Sequence, residues 1–281
     1  MIRQLIYRLF GKRAYMKISA QDQRRQYSRH HYHDSESKLL SLFVQSGDIC
    51  LDVGANLGSY TYYISEIVGE KGVVYAFEPV VETFKALQGN ITSSRLTNVY
   101  AQNMGVSNRN GKTRIFMPKI AGVPSHGRAY LSEQPTKETG ECQDVVVTTI
   151  DDFYAASRLD RVDFIKMDIE GAELLAVQGA VRVISQHHPV LLLEVESRYT
   201  ERFGYEPSDI FSLLHAQGYT EVFYWNGLTL TGIGIDRLAQ SNYANQFIRG
   251  LTNQLIYNFY IVHPDKVPGA LHIKNHNPNT R

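Results

Sequence analysis

Cysteine is scarce. Cys50 and Cys142 are the only two in 281 residues. No histidines cluster beside them, so they offer no thiolate ligand set for a structural metal. Both lie in strand-like surroundings and read as buried thiols of a reducing, cytoplasmic compartment rather than as a disulfide. Long apolar runs are missing too, and nothing approaches the ~18 residues of a membrane span. Net charge is +1, which supplies no global field toward nucleic acid. There are no internal repeats. What remains is ordinary for a soluble globular chain, with 43% hydrophobic and 20% charged residues. The length suits one large α/β domain with additions, or two small domains.

The densest signal is Leu51-Asp52-Val53-Gly54-Ala55-Asn56-Leu57-Gly58. A short apolar run enters it, and Ser59 to Val68 follows with apolar and aromatic positions at helical spacing. Strand, glycine turn and helix form the first unit of a nucleotide-binding sheet. The glycines would let the backbone approach a ligand closely. A second buried-type strand, Val73 to Phe77, ends in Glu78-Pro79. An acid about 20 residues past the glycine turn is placed to bind the hydroxyls of an adenosine ribose. The dinucleotide pattern G-x-G-x-x-G is broken by Asn56 and Ser59. An adenosine ligand without a pyrophosphate, S-adenosylmethionine above all, therefore fits better. The plainer alternative is a glycine turn that only packs a helix on a strand.

Residues 1–34 form a basic arm. Ile2, Leu5, Ile6, Leu9 and Phe10 fall at helical spacing among Arg3, Arg8, Lys12 and Arg13. That is either a helix packed on the domain, a mobile arm, or a peripheral contact with an anionic inner membrane face. The main domain spans 35–263. Its expected elements are a helix over 35–45, strands at 49–51 and 73–77, a helix from Val80 stopped by Gly89-Asn90, and strands at 99–101, 113–117 and 145–147. Residues 118–140 are rich in Gly, Pro, Ser and charge, and a loop this long reads as a lid. Residues 264–281 read as a frayed polar tail.

A second dense segment is Val162 to Glu173, read as strand, acidic turn and helix. Asp168 and Glu170 would sit at the carboxyl end of the fourth strand, where open α/β sheets bind ligands. Acids so close need a cation or a donor, and S-adenosylmethionine brings both. Glu173 suits the first turn of the next helix, which runs to about Ile184. Val190 to Glu196 is the fifth strand and carries Glu194. Adjacent His187 and His188 sit at a helix end, poorly arranged for a metal, so no metal site is expected. Asn226-Gly227 reads as a hairpin turn between strands at 219–224 and 228–235.

With both segments in view, the chain resembles the FkbM family of S-adenosylmethionine-dependent methyltransferases. The matching stretches are 51–58, Ala76-Phe77-Glu78-Pro79, Gly105 to Asn108 with Gly111, Val147 to Asp152, Ile165 to Glu173, and Val190 to Glu194. Together they span about residues 46–225. The resemblance implies a Rossmann-like class I methyltransferase: a mostly parallel seven-stranded sheet, helices on both faces, last strand antiparallel. It also implies O-methylation of a hydroxyl, often on a sugar or secondary metabolite. Asp52, Gly54, Asn56, Gly58, Asn103 and Asp168 would then contact the cofactor, and Glu78 its ribose. A base is needed to take the hydroxyl proton. Asp168 is the first candidate, with Glu170, Glu194 and His126 as alternatives. A divalent metal in place of a base is possible but not favoured. The expected partner is a small-molecule or glycan acceptor rather than nucleic acid. A non-catalytic binding protein of this fold, or an RNA or protein methyltransferase, are the other readings.

Overall fold

The computed structural model describes residues 15–23, 39–132, 138–252 and 257–271, with Tyr7, Leu9, Gly11 and Arg25 in addition. Residues 15–23 are helical (α1), and the turn α2 (Leu40–Phe43) leads to β1 (Ile49–Val53). Then come α3 (Ser59–Val68), β2 (Val73–Phe77), α4 (Val81–Ser93) and β3 (Val99–Gln102). A separate small sheet follows: β4 (Gly105–Val106), β5 (Gly111–Ile120), β6 (Val123–Pro124), β7 (Tyr130–Leu131) and β8 (Gly140–Thr148). The chain returns through α5 (Ile150–Ser157), β9 (Phe164–Met167), α6 (Glu173–Gln178), α7 (Val181–His187) and β10 (Val190–Glu194). It closes with α8 (Ser197–Thr200), α9 (Pro207–Ala216), β11 (Glu221–Trp225), β12 (Leu230–Gly234), α10 (Ile235–Leu238), α11 (Ser241–Thr252) and β13 (Asn258–Val262).

The main sheet has eight strands, in the order β12-β11-β13-β10-β9-β1-β2-β3. The five from β10 to β3 are parallel, β13 runs against both β10 and β11, and β12 runs against β11. The expected seven-stranded sheet with one reversed strand is therefore corrected to a mixed eight-stranded one. The eighth strand comes from the Asn226-Gly227 hairpin. There Gly227 takes φ +94°, and the Asn226 side chain accepts from the amides of Leu228 and Thr229. Strand order reverses between β1 and β9, so a crevice opens beyond their carboxyl ends.

Alternation along the strands makes two cores. Leu51, Val53, Ile165, Met167, Leu191 and Leu193 face one side. Cys50, Val74, Ala76, Phe164, Val190 and Leu192 face the other. The strands are buried on both faces, which is why they read as near-continuous apolar runs.

Several local expectations change. The helix after β2 runs through Gly89-Asn90, because Asn90 is buried there and its amide donates to the Leu57 carbonyl at 2.8 Å. The single helix from Glu173 to Ile184 is two, broken at Gly179. A Cβ on Gly179 would lie 2.2 Å from the Ser107 carbonyl oxygen, so the break lets the chain pass the Ser107 backbone. The supposed loop at 118–140 is, in its described part, built into the small sheet as the end of β5, β6, a 3-10 turn at His126–Arg128, and β7. Cys142 is exposed, not buried, since alternate residues of β8 face outward; Cys50 is buried. The first part of the helix expected over 35–45 lies outside the described residues, as do most of the basic arm and the tail beyond 271. Within the arm, Met16 and Ala20 are buried and share a groove with Ala86 and Gly89 of α4. Residues 264–271 form two 3-10 turns. Among the described residues no helix is long and apolar enough to cross a membrane.

Candidate active site

At the carboxyl ends of β1, β2 and β9 the fold forms a cavity open to solvent, with about 610 Å³ of empty space counting its open mouth. Gly54, Asn56, Glu78, Asp168 and Glu170 all line it, so the two dense sequence segments meet in space. His126 and Gly127 reach it from the small sheet, and Phe77, Val106, Ile115 and Leu131 supply apolar wall.

The turn after β1 is shaped by its neighbours. Gly54 has φ +82°, and a Cβ there would lie 2.0 Å from the Asp168 carbonyl oxygen. Gly58, at φ +93°, precedes α3, and its Cβ would meet Leu87 of α4 at 2.8 Å. These glycines are required by the approach of β9 and of Leu87 on α4, and Gly58 does not line the cavity. Between them Asn56 takes φ +52° and donates its backbone N–H to Glu78 Oε2 at 3.0 Å. Glu78 accepts a second backbone N–H, from Val80, at 2.8 Å. It is buried, and desolvation pushes its pKa up to about 7 against those two hydrogen bonds. Each carboxylate oxygen keeps a second lone pair, enough for a pair of ribose hydroxyls. Asn103 does not line the cavity. Its amide donates to the carbonyls of Glu78 and Pro79 at 2.9 and 3.1 Å, so it pins the turn that presents Glu78.

Beneath the cavity lies a buried charge network. Asp52 and Lys166 are register partners across β1 and β9 and point to the same face of the sheet. Asp52 is fully buried and does not line the cavity. Thr61 donates to its Oδ2 at 2.5 Å, and Lys166 Nζ stands 3.8 Å from Oδ1. Lys166 is 3% exposed and also reaches Asp168 Oδ2 at 3.0 Å, with the Tyr60 ring 4.7 Å from its Nζ. Burial works to lower its pKa, yet the surrounding Asp168, Asp52 and Glu194 raise it on balance, so it stays charged. Asp168 is opposed by desolvation, but Lys166 and a hydrogen bond with Glu194 hold its pKa below the usual range. Glu194 is driven the other way, by burial and by the Asp168 charge, and keeps the shared proton. Lys166 lies inside the recognised motif, but nothing in the sequence gave it a role; the sole signal was a lysine in an otherwise apolar strand.

Glu170 stands apart from this network. It sits at φ +57°, in the left-handed region that a glutamate rarely adopts, and is 8% exposed. Among the described residues its Oε2 has no hydrogen-bond partner. Desolvation, then Asp168 and Glu173, raise its pKa to about 8. The following Gly171 is pressed against the chain after β10, where a Cβ would lie 2.4 Å from the Tyr199 carbonyl oxygen. Tyr205 donates its hydroxyl to the Gly171 carbonyl at 2.7 Å. Glu173 turns back and accepts the amides of Ile169 and Gly171 at 2.8 and 3.4 Å, so it clasps the turn. His126 meets Thr83 Oγ1 through Nδ1 at 3.1 Å.

Three lining carboxylates, with no lysine or arginine among the described lining residues, fit a ligand that carries positive charge. The buried Oε2 of Glu170, costly without a partner, points the same way. The one described group with metal-ligand spacing is elsewhere: His188, His263 and Asp265. It pairs His188 with His263, not with His187, and the two imidazoles are stacked at 3.6 Å. It stands where β10 begins and β13 ends, the edge of the sheet opposite the cavity.

Comparison with known proteins adds a family. The model of the methyltransferase FkbM domain matches residues 52–221. Methyltransferase 1 of Beauveria bassiana is 27% identical over 143 residues, covering 46% of this chain and 57% of that protein. Hexuronic acid methyltransferase AglP of Haloferax volcanii is 24% identical over 177 residues, covering 63% and 65% respectively. A solved methyltransferase FkbM from Methylobacillus flagellatus is 25% identical, with a TM-score of 0.38, over 54% of this chain and 33% of that one. The chain thus spans less than two thirds of the length of each of the three.

Proposed function

Because the chain belongs to the FkbM methyltransferase family, we propose that it methylates a hydroxyl oxygen of a sugar or glycan, with S-adenosylmethionine as donor. The observation that carries this is the cavity at the strand switch point, walled by Glu78, Asp168 and Glu170 and without a lining cation among the described residues. When bound there, S-adenosylmethionine supplies a methyl group on a sulfonium that leaves as a neutral thioether. Glu78 receives the ribose hydroxyls, and Asn103 holds the turn that aims it. Asp168, kept ionised by Lys166, faces the positive charge. Asp52 acts one layer below, by fixing Lys166.

A sugar hydroxyl is a weak nucleophile until its proton leaves. Glu170 is the better base than Asp168. A carboxylate held ionised by a lysine is a weak proton acceptor, whereas a carboxyl with a raised pKa and a bare oxygen in the cavity is a stronger one. Positive charge in the cavity favours the ionised form of Glu170 and so readies it. Glu170 would take the proton of the acceptor hydroxyl as that oxygen attacks. The hexuronic acid methyltransferase among its relatives supports a sugar acceptor.

The test is calorimetric titration with S-adenosylmethionine. The chain should bind at micromolar concentration, and Glu78→Gln should weaken binding by about tenfold or more, the scale of one good hydrogen bond to a charged group. Absence of binding by the folded chain would remove the methyltransferase reading and favour a non-catalytic binding protein.

A further inference from the structure

A second cavity open to solvent, with about 940 Å³ of empty space counting its open mouth, adjoins the first, and Leu131 lines both. Its chemistry is opposite. Arg109 and Arg202 line it with Asn108, Thr113 and Ser132, and no carboxylate is among its described lining residues. Arg202 is held in a defined pose. Its guanidinium lies 4.3 Å from the Tyr130 ring centroid and 5.0 Å from that of Tyr199. Contact with two rings fixes the guanidinium plane and leaves its N–H edge as the interacting part. Glu138 stands 3.9 Å away, beyond hydrogen-bond length to the guanidinium, and accepts the Tyr130 hydroxyl at 3.3 Å. Arg202 lies over the ring of Tyr199, whose carbonyl packs against Gly171 beside Glu170, and this links it to the wall of the first cavity.

We infer that the second cavity seats the acceptor and selects a sugar bearing an oxyanion, a uronic-acid carboxylate or a phosphate ester, through Arg202 and Arg109. As an acceptor site it rests on the methyltransferase reading above; as an anion site it does not. The two cavities divide the charges: carboxylates face a cationic donor, guanidinium groups face an anionic acceptor. A planar guanidinium edge matches two oxygens of either oxyanion. Asn108, Thr113 and Ser132 offer the hydroxyl and amide groups that sugar hydroxyls need.

The chain, alone and saturated with S-adenosylhomocysteine, is titrated with glucuronate, glucose 6-phosphate and glucose, with binding read by ligand-detected NMR. At least one anionic sugar should bind about tenfold or more tighter than glucose, and the tighter of the two identifies the oxyanion. Arg202→Gln and Arg109→Gln should each erase that preference while glucose binding stays within a few-fold; Arg202→Gln also loses its two ring contacts and should unfold at a somewhat lower temperature. Should Arg202→Gln fail to fold, Arg109→Gln carries the test. Equal binding of the three sugars, binding of none, or a preference that survives the substitutions overturns the proposal. Failure to bind S-adenosylhomocysteine would count against the methyltransferase reading alone, because the sugar preference is also read without it.

Discussion

A Cβ on Gly54 would fall 2.0 Å from the carbonyl oxygen of Asp168. The glycine turn and the acidic turn, more than a hundred residues apart in sequence, are thus in backbone contact. Each limits how the other can be built. The ladder between β1 and β9, ending in the Asp168 N–H to Val53 carbonyl bond at 3.1 Å, brings the two turns together, and the absence of a side chain at Gly54 lets the Asp168 backbone lie against it.

Gly54→Ala should therefore damage fold and site together. Alanine is strained at φ +82°, and the clash is with backbone, which cannot step aside as a flexible side chain can. A destabilisation of about 2 kcal/mol or more is expected, within the range for strain at a special backbone conformation. Chemical denaturation of the variant, followed by circular dichroism, measures it. Gly89→Ala is the control. It sits in α4 with nothing within 4 Å of its Cβ, and should stabilise by up to about 1 kcal/mol.

The sequence made the parallel strands, the switch point, the acid at Glu78 and the acidic turn legible, because each is a local pattern of fixed spacing. What it hid was set by long-range packing. Nothing near Gly179 announces that the Ser107 carbonyl will occupy the space of its side chain and break the helix. Gly89-Asn90 looks like a stop, yet Asn90 is fixed inside α4 by a bond to Leu57. The two-residue strands β6 and β7 are too short to show a period. Lys166 is a further case: its place between Asp52 and Asp168 follows from the register of β1 on β9, which a single strand cannot display.

That register yields a prediction. Lys166→Met keeps the side-chain length but leaves Asp52 buried without its cation. Removing one member of a buried ion pair costs on the order of 3–5 kcal/mol. The double variant Lys166→Met, Asp52→Asn should recover part of that stability, since the fully buried Asp52 charge is then gone while Asp168, at the cavity wall, still lacks its cation. Thermal unfolding of the single and double variants measures the coupling. Simple additivity would mean that the pair is not coupled.

Glu170 and Asp168 can be separated by kinetics. Glu170→Gln should lower kcat by about 10²–10⁴-fold, the usual range for loss of a general base, with S-adenosylmethionine affinity within a few-fold. Asp168→Asn should instead weaken S-adenosylmethionine binding, because it removes the ionised partner of the cation. The reverse pattern would return the role of base to Asp168.

Stability should also depend on pH in a direction fixed by the buried carboxyls. Glu170 is raised to about 8, and Glu78 and Glu173 to about 7, by desolvation first of all. In the unfolded chain these groups titrate near 4.5. Between those values the folded state binds protons that the unfolded state does not. Stability is therefore fully present at low pH and is lost as pH rises through 7 to 8. The unfolding temperature should fall from pH 6 to pH 9. Glu170→Gln mimics the protonated form, so it should raise the unfolding temperature at pH 9 and change it little at pH 5. S-adenosylmethionine should flatten the same slope in the parent chain, because a cation beside Glu170 lets it ionise without penalty. If Glu170→Gln shifts the unfolding temperature equally at both pH values, Glu170 does not titrate in this range, and its assignment as a poised base loses its support.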